Sequence, residues 1–192
     1  SWPTIGTEET IKSINTEKLL SLGGLSTQQL TEEDKKRTKF YQDEKIRKQN
    51  QKNFISHDKW LSSLKTRVLF EEGNEKNKKR ILQLINKTNQ MNLTTRRISE
   101  TILDKLINDK SCYLFSCKVD DKFGDMGLVG VLSFKLLSDK IEVIDFILSC
   151  RAFGRSIEKS MLLKIIDIFK KKNVEKIIFK YLKTQKNKPC LD

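Results

Sequence analysis

The residues best suited to chemistry follow an apolar run in the second half of the chain. Residues 143–148 are almost all apolar, and a short turn leads from them into an amphipathic helix predicted over residues 155–172. This direct entry leaves unpaired backbone N–H groups at the positive end of the helix dipole, which favours a phosphate or another anion. A plain strand–helix connection with two solvated arginines is the alternative. The predicted anion site consists of Arg151, Ala152, Phe153, Gly154, Arg155 and Ser156.

Two side chains of the same region are candidate catalytic groups. Cys150 ends the predicted strand beside a helix start and two arginines, and this setting favours the thiolate. Cys150 is therefore a candidate nucleophile for a covalent acyl-thioester step, with a buried apolar filler as the alternative because no histidine is near in sequence. Asp145 interrupts the apolar run. A carboxylate there either pairs with an arginine or faces a cleft.

A polar stretch lies between two predicted helices further upstream. Its amides and hydroxyls can hydrogen-bond a polyhydroxylated acyl group without changing protonation, and Asn89 is a candidate catalytic residue among them. An internally bonded loop is the alternative. The candidate substrate-binding residues are Gln90, Asn92, Thr94, Thr95 and Arg96.

The composition points to an acidic partner. The formal net charge is +13, most of it from lysine, and such a surface attracts acidic macromolecules at long range. A nucleic-acid partner is disfavoured because neither an RNP-like aromatic motif nor a zinc finger accompanies the charge. An acidic carrier protein is the other candidate, and a lysine-rich solvated surface without a dedicated partner is the alternative.

The spacing of the cysteines and the hydropathy of the chain indicate its cellular location. The four cysteines show no paired C-x-x-C spacing, so we predict no disulfide framework and no metal site, and a cytoplasmic location. The chain has no run of 18 apolar residues, so we predict no contact with a membrane.

The coarse element order predicts an α/β (α+β) domain. From residue 67 onward the pattern is β-α-α-β-β-β-α-β, with turns at residues 120–125 and 138–140. Consecutive hairpins make the sheet mixed instead of doubly wound and parallel. Two helices are predicted before it, over residues 31–53 and 56–64. His57, at the start of the second helix, is interpreted as a surface residue.

This element order, with an anion-binding loop after the fourth predicted strand, resembles the Gcn5-related N-acetyltransferase (GNAT) superfamily. Members carry a Q/R-x-x-G-x-G/A loop there, matched here by Arg151 and Gly154, with Ser156 in place of the final small residue. The resemblance implies a mixed sheet flanked by helices, in which the strands over residues 141–148 and 174–181 splay apart. The gap would admit the arm of coenzyme A, acyl-CoA or a carrier-bound phosphopantetheine.

Longer stretches resemble the C-terminal half of FkbH-like proteins, in which a HAD-type phosphatase half is fused to a GNAT-like domain. The matching residues are LTEED at 30–34, TNQMNLTTRR at 88–97, KFGDMGLVGV at 122–131 and LSCR at 148–151. The D-x-D-x-T motif of the phosphatase half is absent from the chain. The resemblance therefore implies a connector from a missing HAD-type half over residues 1–29, a charged helical extension over 30–66, and a GNAT-like domain over 67–192.

The same resemblance implies an activity. FkbH-like proteins deliver a glyceryl group as a thioester to an acyl carrier protein, so this domain would transfer an acyl group to or from the carrier's phosphopantetheine thiol. Asn187 would begin the last helix over the cofactor, and the domain would then be truncated at its C-terminus. The alternative is a non-catalytic module that binds the carrier and serves a separate HAD-type half.

Overall fold

The structure is a computed structural model that describes residues 32–172 and 174–190. The chain divides into two compact units, residues 1–41 and 42–192. The described part of the first unit is the beginning of one helix, and every contact discussed below lies within the second. The predicted connector over residues 1–29 falls outside the described residues.

The described residues form helices and strands in nearly the predicted order. The helices are α1 (Glu32–Gln51), α2 (His57–Leu64), α3 (Lys78–Lys87), α4 (Glu100–Asn108) and α5 (Ile157–Lys172). The strands are β1 (Arg67–Glu72), β2 (Met91–Asn92), β3 (Cys112–Asp121), β4 (Gly124–Leu136), β5 (Lys140–Leu148) and β6 (Lys176–Phe179). Single 3-10 turns cover Cys150–Ala152 and Lys188–Cys190.

The strands form one mixed sheet in the order β1-β3-β4-β5-β2, with β6 also paired to β5. All pairings are antiparallel except that of β5 with β6, which is parallel. A parallel pair requires a crossover, and α5 provides it. The predicted mixed sheet flanked by helices is confirmed. The two-residue strand β2 was not predicted from the sequence.

Helices cover both faces of this sheet. Val131 of β4 and Ile147 of β5 pack with α3 and α4 in one buried cluster. The adjacent Gly130 faces the other way, where a Cβ atom would meet the Met161 sulfur of α5 at 3.3 Å. Because neighbouring residues of a strand point to opposite faces, α3 and α4 lie on one side of the sheet and α5 lies on the other.

A β-bulge divides β5 into two halves. Ser133 of β4 pairs with Asp145 and the next residue, Phe134, pairs with Val143, so Ile144 is the extra residue. Val143 is also the last residue of β5 that pairs with β6. A bulge bends its strand and increases the local twist. The bend therefore occurs where the pairing of β5 with β6 ends, between the two strands for which the resemblance implies a splay.

A buried ion pair fastens α1 to the β3–β4 hairpin. Arg47 donates from Nε and Nη2 to the two carboxylate oxygens of Asp121, at 2.7 and 2.8 Å. The same carboxylate accepts the backbone N–H groups of Phe123 and Gly124, which closes the turn. Burial alone would raise the pKa of Asp121, but the hydrogen bonds from Arg47 and from the turn outweigh it and lower the pKa.

This lowered pKa predicts a pH dependence of stability. The stabilisation is fully present above the ordinary aspartate pKa of about 4, and it is lost as the pH falls through the lower folded value. We expect the free energy of unfolding to fall between about pH 5 and pH 2, and we expect Asp121→Asn to flatten that slope. Urea unfolding at several pH values measures it.

The control for this prediction is the neighbouring carboxylate. Asp120 binds the exposed Arg67 at 2.7 Å, where solvent screens the pair. Asp120→Asn should leave the slope nearly unchanged. An unchanged slope in Asp121→Asn would contradict the role assigned to the buried pair.

Candidate functional site

The loop from β5 to α5 has the backbone geometry of an anion site. After the turn Cys150–Ala152, the N–H groups of Ala152 and Phe153 donate to the carbonyls of Ser149 and Cys150. Ala152 is fully buried and anchors the loop. Gly154 then adopts φ +72° and Ser156 φ +56°, and α5 begins at Ile157.

The middle of this loop offers unpaired donors. Within the described residues, the backbone N–H groups of Gly154, Arg155 and Ser156 donate to no acceptor. They precede the positive end of α5, so an anion there would gain both hydrogen bonds and dipole stabilisation. Ser156 takes a left-handed conformation that costs about 1 kcal/mol for a residue with a Cβ atom. This is the position where the GNAT pattern has a glycine or alanine.

The two arginines of the loop differ in their surroundings. Arg155 is buried, donates from Nη2 to Glu44 of α1 at 2.5 Å, and donates from Nη1 to the carbonyl of Arg151. It therefore ties the loop to α1, and the alternative of two solvated arginines does not describe it. Arg151 is only partly buried, and Gly154 is exposed.

Cys150 lies at the start of the loop and is exposed. In contrast, Cys117 of β3 is buried, and burial raises its pKa to about 12. A thiol with such a pKa is unreactive at neutral pH. Cys150 is thus open to reagents and substrates, and the alternative of a buried filler does not describe it.

Asp145 and Arg96 form a buried ion pair with each other. Arg96 donates from Nε and Nη2 to the two carboxylate oxygens at 2.8 and 2.6 Å, and Ser133 of β4 donates to Oδ2 at 2.5 Å. The Asp145 side chain has no exposed surface. Of the two possibilities that the sequence left for this carboxylate, the structure shows pairing with an arginine.

The polar stretch before α4 is largely bonded to itself. Asn92 is fully buried, donates from Nδ2 to the carbonyl of Thr88, and accepts from the backbone N–H of Thr95. Asn89 accepts a hydrogen bond from Arg97. Thr94 has a buried hydroxyl without a partner among the described residues. This pattern favours the alternative of an internally bonded loop, although Gln90 remains exposed.

The gap between the splayed strands is occupied by the chain itself. Beyond the bulge, Met91 and Asn92 of β2 pair with Leu148 and Ile147 of β5. On the other side, the N–H of Leu182, in the segment after β6, donates to the carbonyl of Leu93. The predicted open slot for a pantetheine arm is therefore filled by β2 in this structure.

The side chain of Asn187 links β2 to the segment after β6. It is fully buried and lies just before the turn Lys188–Cys190, where the sequence predicts the start of a last helix. Its amide nitrogen donates to three carbonyls and its oxygen accepts two hydrogen bonds. The partners are Asn92, Leu93 and Leu182 for the nitrogen, and Tyr181 and Thr184 for the oxygen.

Comparisons with known proteins concern the fold. No protein-family model matches the chain, and no curated protein matches it. Several solved structures do. The fold is similar to that of solved N-acetyltransferases. Proteins that share a fold often differ in activity, so the activity is argued from the site itself.

Three of these structures illustrate the extent of the similarity. A ribosomal-protein-alanine N-acetyltransferase from Brucella melitensis is 14% identical with a TM-score of 0.49, over 62% of this chain and 83% of that chain. A Trypanosoma brucei acetyltransferase is 15% identical with a TM-score of 0.46, over 64% and 87%. AAC(6')-Iy, solved with a coenzyme A bisubstrate analogue, is 8% identical with a TM-score of 0.49, over 62% and 82%.

The described residues, 32–172 and 174–190, also bear on metal binding and on membrane crossing. No group of three or more His, Cys, Asp or Glu side chains in these residues could hold a metal ion. No helix in the same part of the chain is long and apolar enough to cross a membrane.

Three residues of α1 and α2 that lie beside the β5–α5 loop were not recognised from the sequence as part of the site. Arg47, Glu44 and Trp60 lie in helices that read as a lightly packed, charged extension. Arg47 is nevertheless 1% exposed and Trp60 is 5% exposed. The available signal was the tryptophan on one face of α2, which requires a buried surface to pack against.

Proposed function

We propose that the chain binds an acyl thioester carried on phosphopantetheine and transfers the acyl group. One observation carries this proposal: the unpaired N–H groups of Gly154, Arg155 and Ser156 at the start of α5. A phosphate group is the anion that such a helix start binds in many folds. The phosphopantetheine arm begins at a phosphate, and it would run from this point toward the end of β5.

We propose that Cys150 is the reacting group of the protein. The Cys150 thiol would give up its proton as its sulfur attacks the thioester carbonyl carbon, and the pantetheine sulfur would take up that proton and leave as a thiol. A second thiol or hydroxyl then takes the acyl group and restores the cysteine. Exposure of Cys150 at the edge of the anion loop supports this role. Asp145 would act through Arg96 in positioning the segment that contains Asn89, instead of by contact with substrate.

The finer proposals concern the acyl group and the partner. We propose a glyceryl group and an acidic acyl carrier protein, with a HAD-type phosphatase half as the source of the acyl thioester, in the cytoplasm. The net charge of +13 supports an acidic partner, and the resemblance to FkbH-like proteins supports the rest. Coenzyme A is the alternative carrier of the same arm.

A second function is favoured by a specific observation. Because β2 fills the gap beside β5, the described residues leave no open channel there for a thioester. A module that binds the carrier's phosphate at the loop and leaves the thioester outside would need no such channel. Such a module would dock the carrier for a separate enzyme.

The loop is tested by a pair of glycine substitutions. Gly154 and Gly127 have φ values of +72° and +70°, and a Cβ atom would meet nothing within 4 Å at either position. Alanine should therefore destabilise the fold equally at both, by about 1 kcal/mol. We expect Gly154→Ala alone to weaken the binding of coenzyme A and of phosphopantetheinyl carrier about tenfold, as measured by calorimetry.

Equal binding by both glycine variants would contradict the proposed loop. A separate assay distinguishes transfer from docking: acyl-labelled carrier is mixed with the protein, and movement of the label to Cys150 or to a second carrier is followed by mass spectrometry. Cys150→Ala should abolish the movement and preserve binding. Tight binding without movement of label from acyl-CoA or acyl-carrier would leave the docking function.

A further inference from the structure

A cavity lies between the two N-terminal helices and the β5–α5 loop. Its volume is about 160 Å³, well above the roughly 10–15 Å³ that one water molecule needs on this measure. Its walls are therefore far enough apart for a small ligand. The lining residues include Glu44, Arg47, Lys48, His57, Trp60 and Arg155. We name it the α1–α2 cavity.

Three lining residues carry a buried donor that has no acceptor. The atoms are Nη1 of Arg47, Nε1 of Trp60 and Nε of Arg155, and none has a hydrogen-bond partner within the part of the chain that the structure describes. The three residues are only 1%, 5% and 6% exposed. More than 90% of buried polar groups in proteins are paired. Three unpaired N–H groups around one cavity therefore point to a missing acceptor.

The carboxylates nearby cannot supply that acceptor. Asp121 accepts from Nε and Nη2 of Arg47, which leaves Nη1 unused. Glu44 accepts from Nη2 of Arg155 and lies 3.8 Å from Nη1 of Arg47, beyond hydrogen-bond length. Trp60 has only a donor and no acceptor. Within the described residues, Nη1 of Arg47 and Nε1 of Trp60 therefore have no hydrogen-bond acceptor, although the amide of Gln51 also lines the cavity.

The charge of the lining selects the ligand. The cationic side chains of Arg47, Lys48 and Arg155 line the cavity with the carboxylate of Glu44. Asp121 pairs with Arg47 and Glu44 pairs with Arg155, so the lining and its ion-pair partners keep one net positive charge. Arginine forms its strongest hydrogen bonds with oxyanions, and phosphate has several acceptor oxygens to meet converging donors. We propose that the α1–α2 cavity binds a phosphate group through Arg47, Trp60 and Arg155.

This site adjoins the proposed pantetheine loop and shares Phe153, Gly154 and Arg155 with it. It binds through side chains, most of them from α1 and α2, whereas the proposed pantetheine site uses backbone N–H groups of the loop. Phosphate binding in the cavity does not require acyl transfer, and the experiments below read it without any thioester.

The test uses inorganic phosphate and the intact chain. Calorimetric titration should show saturable binding that is absent with chloride at equal ionic strength, together with a rise in Tm and a change in Trp60 fluorescence. Trp60→Phe keeps the ring and removes the N–H donor, and should weaken binding about tenfold. Coenzyme A and dephospho-coenzyme A, titrated as competitors, show whether the phosphate belongs to the cofactor or to another molecule.

Two variants that each remove one positive charge test the site in a second way, because Trp60→Phe could lose binding through misfolding alone. Lys48→Gln and Arg67→Gln each remove one exposed cation, but only Lys48 lines the cavity. Lys48→Gln should weaken phosphate binding several-fold, and Arg67→Gln should not. Absence of saturable phosphate binding by the unmodified chain, or equal weakening by both glutamine variants, would overturn the proposal.

Discussion

Arg96→Ala should lower the free energy of unfolding by about 3 kcal/mol, because it leaves the fully buried carboxylate of Asp145 without a counter-charge. Removing one partner of a buried pair costs about 3–5 kcal/mol, and the lower end applies since Arg96 is itself 28% exposed. Ser133 would be the remaining hydrogen-bond donor to the carboxylate. Urea unfolding of the variant at neutral pH measures the loss.

The exposed pair of Arg67 and Asp120 is the matched control for this prediction. Its Nε to Oδ1 distance is 2.7 Å, against 2.8 Å for Arg96 and Asp145. The Arg67 side chain is 82% exposed, however, so Arg67→Ala should cause a much smaller loss. If both variants lost the same stability, burial would not be what makes the Asp145 pair important.

A second pair of changes separates structure from chemistry at Asp145. Replacing both partners by apolar residues, as in Arg96→Met with Asp145→Leu, removes the unpaired charge and should recover most of the stability. Acyl transfer by a stable double variant would show that neither side chain takes a direct part in the reaction. Loss of transfer with intact folding and carrier binding would instead assign the pair a part in the reaction.

Asn187→Ala should have an effect of similar size, about 3 kcal/mol or more. The change removes three donated and two accepted hydrogen bonds at a fully buried position. Each buried group left unpaired costs about 1–3 kcal/mol. The variant should also release the β2 segment, so the amide hydrogen of Leu182, which donates to Leu93, should exchange faster.

Asn108→Ala is the control for Asn187→Ala. Asn108 ends α4 and donates a single exposed hydrogen bond to Asp104, so its removal should barely change stability. Slow exchange of the Leu182 amide in Asn187→Ala would contradict the proposal that Asn187 holds β2 in the gap.

The sequence predicted the elements well where periodicity and turn chemistry agreed. Ser99 caps α4 by accepting from the N–H of Ile102 at 3.3 Å, as expected of a serine before an apolar helix. The turn after β3 was also predicted, but the hairpin is tighter than expected. The Asp121 carboxylate accepts hydrogen bonds from the N–H groups of Phe123 and Gly124, so β4 begins at Gly124, inside the turn predicted over residues 120–125.

The contacts between distant segments could not be predicted in the same way. Arg96 and Asp145 are 49 residues apart in the sequence, and no local sequence pattern in either segment identifies the partner of its charged side chain. Arg155 was predicted as a ligand of the anion, and no pattern in the sequence places Glu44 beside it. Similarly, β2 is only two residues long, and it becomes a strand because β5 has a free edge beyond its bulge.

The short strand β2 has a kinetic consequence. Any ligand that hydrogen-bonds to the free edge of β5 at Ile147 and Leu148 competes with Met91 and Asn92 for the same backbone groups. Its observed association rate would then rise with ligand concentration only up to the rate at which β2 leaves. Stopped-flow binding would show this plateau, and loosening β2 through Asn187→Ala would raise it.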